Sequence, residues 1–228
     1  MAPLPIAFFD LDRTLIDGYA YLRLLRLLWR RGVRRGGLLR LLGRLLLSRL
    51  TPRTPLSSWW PAAFARYLRG LSPQALSAIA QAAAQEVANE VRPRMREQLE
   101  AERRRGAEIW LVSATVDLLA PAVADALGFD RCLCTGLALR SGRYLGLLDG
   151  PICRGSEKLL RVTAELQAAG RSLDLTACSY YADGYEDLPL LEAVGRPCVV
   201  HPERRLWEVA QERGWPQIGE PRHHRAGG

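Results

Sequence analysis

The chain has 228 residues, with 32 basic and 24 acidic side chains and a formal net charge of +8. At 48% hydrophobic and 7% aromatic it carries enough apolar material for a core, which excludes wholesale disorder; its length suits one domain with a modest insertion. Of the 32 basic residues 31 are arginine, and Lys158 is the only lysine. A GC-rich coding bias accounts for such an excess, and under it a retained lysine marks a position where a planar guanidinium does not serve.

The charge is uneven along the chain. Residues 18–85 hold twelve arginines and no acid, while the remainder holds 20 basic and 24 acidic residues, so a +12 module is set into a −4 one. The five cysteines (Cys132, Cys134, Cys153, Cys178, Cys198) are odd in number and include no CxxC pair, which fits a reducing compartment better than a disulfide framework. The opening MAPLPIAFFDLD lacks the basic n-region of a secretory signal, so a cytoplasmic protein is expected. The leucine-rich run 38–47 is interrupted by Arg40 and Arg44, so no 18-residue uncharged span forms.

In chain order, PIAFF at 5–9 is a short apolar run ending in acids and predicts a buried strand feeding a loop. Residues 19–90 are helical in pattern. Tyr21, Leu24, Leu25 and Leu28 share one face, and 35–50 predict a second helix. Pro52, Pro55 and Ser57–Ser58 mark a break, and Ser72-Pro73 opens a long alanine-rich helix to about 90. A helix at 93–105 follows, then alternation: strand 109–112, helix 117–127, a hairpin of 132–139 with 143–148, helix 156–169, strand 173–182, helix 187–194, strand 197–200 and helix 203–213. Strand–helix alternation predicts a parallel sheet with helices on both faces, interrupted after its first strand by the helical block.

The polar groups that stand out follow strands or open helices. Asp10 and Asp12 follow the first strand, Ser113-Ala114-Thr115 end IWLV, Lys158 opens a helix in GSEKLL, and Asp183 and Asp187 follow LTACSYYAD. In an open α/β sheet these carboxyl edges are where ligands bind. Clustered carboxylates hold a hard cation such as Mg²⁺, and one of them serves as a nucleophile. A serine hydroxyl, backbone N–H groups and a lysine neutralise phosphoryl oxygens, and a second carboxylate protonates the leaving alkoxide.

These residues closely resemble the haloacid dehalogenase superfamily of phosphohydrolases. Its four motifs occur in order: Asp10-Leu11-Asp12-Arg13-Thr14 as DxDx[TV], Ser113 in LVSAT, Lys158, and Asp183-Gly184-Tyr185-Glu186-Asp187 as DxxxD. The resemblance spans about 5–216 and implies a Rossmann-like α/β core of 1–17 and 92–218 with an inserted all-helical type 1 cap of 18–91; the tail 219–228 is expected to be disordered. GRYLG and the stretch from DLPLLEAVGRP to RGWP are similar to the phosphoserine-phosphatase-like subfamily. The resemblance makes Asp10 the nucleophile and Asp12 the general acid/base. It assigns Mg²⁺ to Asp10, the main-chain carbonyl of Asp12, Asp183 and Asp187, and phosphate to Ser113, Ala114, Lys158 and Thr14. Dehalogenases of the superfamily lack an acid at the Asp12 position, so a phosphatase of a small phosphomonoester is expected. Phosphoserine phosphatases carry a substrate-reading glutamate shortly after the first motif, whereas LIDGYAYL at 15–22 offers only Asp17.

Three alternatives stay open at this level: action on a lipid phosphate, transfer to an alcohol acceptor, and a non-catalytic protein that uses the basic cap on an anionic membrane surface. No nucleic-acid recognition motif is present. Neither the oligomeric state nor the substrate is written in these letters.

Overall fold

In the computed structural model, residues 5–50 and 56–222 are described, with side chains placed for 5–44 and 59–222. The first strand, β1 (Ile6–Phe9), buries all four residues and leads into a tight loop at 11–15. Four helices follow: α1 (Tyr21–Arg30), α2 (Arg35–Leu50), α3 (Leu56–Leu68) and α4 (Pro73–Asn89). Ser72 caps α4 by accepting from Ala75 N at 3.2 Å, with Pro73 in the first turn. Pro52 and Pro55, expected to break the helical block, lie outside the described residues, and Ser57 and Ser58 fall inside α3.

The alternating part then runs α5 (Pro93–Arg104), β2 (Glu108–Val116), α6 (Ala120–Leu127), β3 (Arg131–Arg140), β4 (Arg143–Asp149), α7 (Ser156–Ala168), β5 (Ser179–Ala182), α8 (Leu188–Ala193), β6 (Arg196–Val200), α9 (Arg204–Arg213) and β7 (Gln217–Ile218). The sheet order is β4-β3-β2-β1-β5-β6-β7, parallel throughout except for the β3–β4 hairpin. β1 is therefore central, with Phe8 opposite Trp110 of β2 and Tyr180 of β5. Its alternation separates two cores. Ile6 and Phe8 pack with Trp110, Val162, Leu190 and Leu206, while Ala7 and Phe9 pack with Leu99, Leu111, Val123 and Tyr181. Helices thus cover both faces, as the alternation predicts.

Three local expectations change. β2 runs on through Val116, because Val116 pairs with Thr135 after a register shift, and α6 starts at Ala120 rather than 117. The strand expected from 173 begins only at Ser179. Ser172 and Asp174 side chains instead accept from the backbone N–H groups of Asp174 and Thr176 and hold a turn there. The tail is the third. Of 219–228, residues 223–228 lie outside the described residues, but Arg222 N donates to Pro202 O at 2.8 Å, so the chain up to 222 is held rather than disordered.

Backbone hydrogen bonds join the cap to the core at two points, besides the packing of α4 on α6. At the crossing between cap and core, Ile16 pairs with Val91 and Arg92 N donates to Leu15 O at 2.8 Å. Farther out, Gly70 N donates to Tyr144 O at 2.8 Å and Tyr144 N to Leu71 O at 2.9 Å, tying the α3–α4 turn to β4. Gly146 permits that approach. It has φ +84°, and a Cβ there would stand 2.9 Å from Arg69 Cβ.

The acid-free run meets its counter-charge just beyond its end. Arg23 pairs with Glu90 and Arg26 with Glu86, both at the close of α4, while Arg30, Arg31, Arg35, Arg40 and Arg44 are exposed. Such surface pairs contribute little, roughly 0–1 kcal/mol each. Among the described residues no helix is long and apolar enough to cross a membrane.

A buried acid fastens α5 to the sheet. Glu102, 2% exposed, accepts from Ser179 Oγ (2.8 Å) and Tyr181 Oη (2.9 Å) and pairs with Arg105 (3.1 Å) and Arg196 (3.4 Å). Removing the acceptor leaves buried donors unmatched. Glu102→Ala is expected to lower unfolding stability by about 3 kcal/mol or more, read as a shift in urea midpoint; a loss under about 1 kcal/mol would show that the network contributes little.

Candidate active site

The motif residues converge because β1, β2 and β5 are neighbours and release their loops at one edge. Asp10 leaves β1 with its N–H still bonded to Tyr181 O of β5 (3.0 Å), which sets Asp10 beside the end of β5 and hence beside Asp183. Thr14 spans the two carboxylates, its Oγ1 lying 3.1 Å from both Asp10 Oδ2 and Asp183 Oδ1. Asp187, at the start of α8, completes a buried group in which ligand oxygens of Asp10, Asp183 and Asp187 all lie within 4.8 Å of one another.

Lys158 sits in the first turn of α7 and is 2% exposed. Its Nζ is 2.7 Å from Asp10 Oδ1 and 2.7 Å from Asp187 Oδ1, and donates to Tyr180 Oη at 3.0 Å. Burial alone would neutralise this lysine; the two carboxylates outweigh it and hold its pKa well above the ordinary 10.5. Burial in turn raises the Asp10 carboxyl against the opposing pull of Lys158, raises Asp183 against Arg222, and pushes Asp187 up to about 6.

Asp12 stands apart from this cluster. Its Oδ1 accepts from Ala20 N at 2.6 Å and its Oδ2 from Thr115 Oγ1 at 3.2 Å, so it is held against the start of the cap and the end of β2. Burial, with Asp10 nearby, pushes its pKa up to about 7. Two acids two residues apart are thereby given different environments: Asp10 carries a cation and Asp12 does not.

Ser113 and Ala114 line the same cavity, a space of about 520 Å³ between the sheet edge and helices α1 and α3. Ser113 lies inside β2, one turn of chain before its end, and its Oγ accepts from Thr115 N at 3.1 Å. Every expected site residue except Thr14 faces this cavity; Thr14 lies beneath it, fully buried.

Several groups at the site had no role in the sequence reading, the cap residues on the cavity wall among them. Tyr180 under Lys158 looked like one more strand residue. Arg13 is 3.9 Å from Asp183 Oδ2, and Arg154 pairs with Glu186 at the rim. Arg222, from the segment expected to be disordered, donates to both the Asp183 carboxylate and its main-chain carbonyl. In a chain with 31 arginines nothing distinguishes that one.

The carboxylate set fits Mg²⁺, a hard cation that takes one or two carboxylates and completes its shell with other oxygens. All three acids are buried, all are raised in pKa by burial, and none has a competing soft or nitrogen ligand at the group.

Residues 7–192 match the haloacid dehalogenase-like hydrolase family. A phosphoserine phosphatase of Mycobacterium tuberculosis is 36% identical over 110 residues, 48% of this chain and 35% of that relative. A histidinol-phosphatase of Neisseria meningitidis serogroup C is 30% identical over 130 residues, 56% of this chain and 59% of that relative. The aligned stretch is thus less than two thirds of either relative. Among solved structures, a protein of unknown function from Bordetella pertussis Tohama I superposes with TM-score 0.83 at 26% identity, over 96% of this chain and 99% of that one. A substrate-bound phosphoserine phosphatase shares the fold, with TM-score 0.60 and 15% identity over 96% of this chain and 94% of that one. With 7–192 matched and all four motifs gathered at one sheet edge, the chain belongs to the haloacid dehalogenase-like hydrolases.

Proposed function

We propose that this chain is a Mg²⁺-dependent phosphatase that hydrolyses a small phosphomonoester through an aspartyl-phosphate on Asp10. The observation that carries this reading is the separation of the two first-motif acids. Asp10 is ion-paired and placed as a nucleophile, while Asp12, pushed up to about 7, exchanges a proton near neutral pH and can supply the one that a leaving alkoxide needs. Asp10 attacks phosphorus and the ester oxygen leaves with the Asp12 proton. Asp12, now ionised, takes a proton from the water that attacks the acyl phosphate, and phosphate departs. Ser113 Oγ, the backbone at Ala114 and Lys158 Nζ take the phosphoryl oxygens, and Thr14 keeps the Asp10 and Asp183 carboxylates in register. Asp10, Asp183 and Asp187 with the Asp12 main-chain carbonyl would hold Mg²⁺, which when bound supplies positive charge to the phosphoryl group. The relatives' names support phosphate-ester chemistry in general.

Phosphate release from an aryl phosphate is expected with Mg²⁺ and not with excess chelator, and Asp10→Asn is expected to lower it by about a thousandfold or more. Wild-type turnover in that variant would rule the nucleophile out. Lys158→Arg is expected to lose about a hundredfold, since a bulkier fork replaces a point charge between two carboxylates; activity within a few-fold of wild type would remove Lys158 from the mechanism.

Asp12 also predicts a pH effect on the metal-free protein. Its pKa rises from the ordinary 3.8 to about 7 on folding. Below pH 4 it is protonated in both states; between 4 and 7 only the unfolded chain ionises, so stability falls across that window. In chelator, the drop in urea midpoint between pH 5 and pH 7.5 is expected to shrink in Asp12→Asn; an unchanged drop would show that Asp12 is not buried as a neutral acid.

A further inference from the structure

The cavity has two unlike halves. Its floor is the carboxylate and lysine cluster. Its upper wall comes from the cap, where Tyr19, Tyr21, Leu24, Trp60 and Phe64 face inward. The rings form a continuous ladder: Tyr19–Tyr21 centroids are 5.4 Å apart, Tyr21–Trp60 4.3 Å and Trp60–Phe64 5.5 Å. Trp60 and Phe64 are 6% and 1% exposed. None of the cap's arginines with described side chains lines the cavity, so the cap contributes rings to the site and turns its charge elsewhere.

The acids nearest the cap wall already have partners. Glu186 pairs with Arg154, and Glu203 accepts from Tyr185 N at 2.8 Å. Asp17, the one acid at 15–22, points outward with its side chain 87% exposed and pairs with Arg92 at 2.9 Å. At the rim Arg205 lies over the Tyr185 ring at 3.6 Å. A zwitterionic amino-acid leaving group would bring a strongly hydrated ammonium against rings whose cation–π attraction repays only part of its desolvation, in a cap with no acid between 18 and 85 to complete the pairing.

Resting on the phosphatase reading above, we infer that the leaving group is an alcohol bearing a neutral, flat ring or compact apolar body, and that Trp60 with Tyr21 and Phe64 selects it. Offset or edge contact of a ring with this ladder buries apolar surface that a serine side chain lacks. The cap then sets specificity by shape and apolar contact, and the floor sets chemistry.

The test compares 2-phenylethyl phosphate with O-phosphoserine and phosphocholine at saturating Mg²⁺. All three release a primary alcohol, so the comparison isolates recognition. The ring ester is expected to exceed phosphoserine by at least about tenfold in kcat/KM, chiefly through KM, and 2-phenylethanol is expected to inhibit competitively where choline and serine do not. Trp60→Ala and Tyr21→Ala are each expected to reduce the ring-to-phosphoserine ratio towards one, measured on variants whose thermal transitions stay cooperative; if neither folds, the wild-type ratio and the alcohol inhibition decide. Preference for phosphoserine or phosphocholine overturns the inference while leaving the phosphatase intact. No phosphate release from any ester, including an aryl phosphate, overturns the phosphatase reading and this inference with it.

Discussion

Three largely buried carboxylates with oxygens within 4.8 Å of one another repel strongly enough that the fold has to supply positive charge to them. Lys158 does so at 2.7 Å from two of the three, and its own burial is tolerable only because they are there. This mutual dependence ties together elements distant in sequence: the end of β1, the first turn of α7 and the start of α8. Even so, burial, with repulsion among the acids added to it, keeps Asp10, Asp183 and Asp187 above the ordinary carboxylate range. A divalent cation relieves that residue of repulsion, so the same electrostatics that make the site costly to fold make it suited to a metal.

The third carboxylate is managed from outside. Arg222 reaches Asp183 from beyond the last strand, with Arg13 at 3.9 Å on the same oxygen. Because Arg222 also bonds the Asp183 carbonyl, and its own N–H holds Pro202 O, the end of the described chain is locked to the loop that follows β5. Asp12 receives no such cation. It is bonded by a backbone N–H and a hydroxyl, and that difference in partners gives the two acids of the first motif unlike electrostatic surroundings at similar burial.

The insertion brings its own division of labour. Leu24, Leu28, Trp60 and Phe64 are buried and none of the arginines with described side chains lines the cavity, so the block that looks most basic in sequence is aromatic where it meets the site. Part of its charge is answered by Glu86 and Glu90 at the close of α4, which pair with Arg26 and Arg23 of α1. The tie between the α3–α4 turn and Tyr144 couples the cap to the β3–β4 hairpin through two backbone hydrogen bonds.

Much of this was legible in the letters, for definite reasons. A buried central strand must be apolar on both faces, so PIAFF followed by acids announced β1 and the site edge. The lone lysine stood out because every other basic position had become arginine. Local signals failed where local chemistry had two outcomes: the apolar letters from 173 read as strand until Ser172 and Asp174 folded back on their own backbone. The sequence by itself determined the α/β order, the helical insertion and the identity of the carboxylates and lysine, because those follow from periodicity and from residue types with few substitutes. Only the tertiary structure decided that burial pushes the Asp12 pKa up to about 7, that Arg222 reaches Asp183 and that the basic cap shows the cavity rings instead of charge. Each of those depends on which group comes within a few ångströms of another across the chain, and Coulomb and packing energies at that range are set by three-dimensional proximity rather than by order along the sequence.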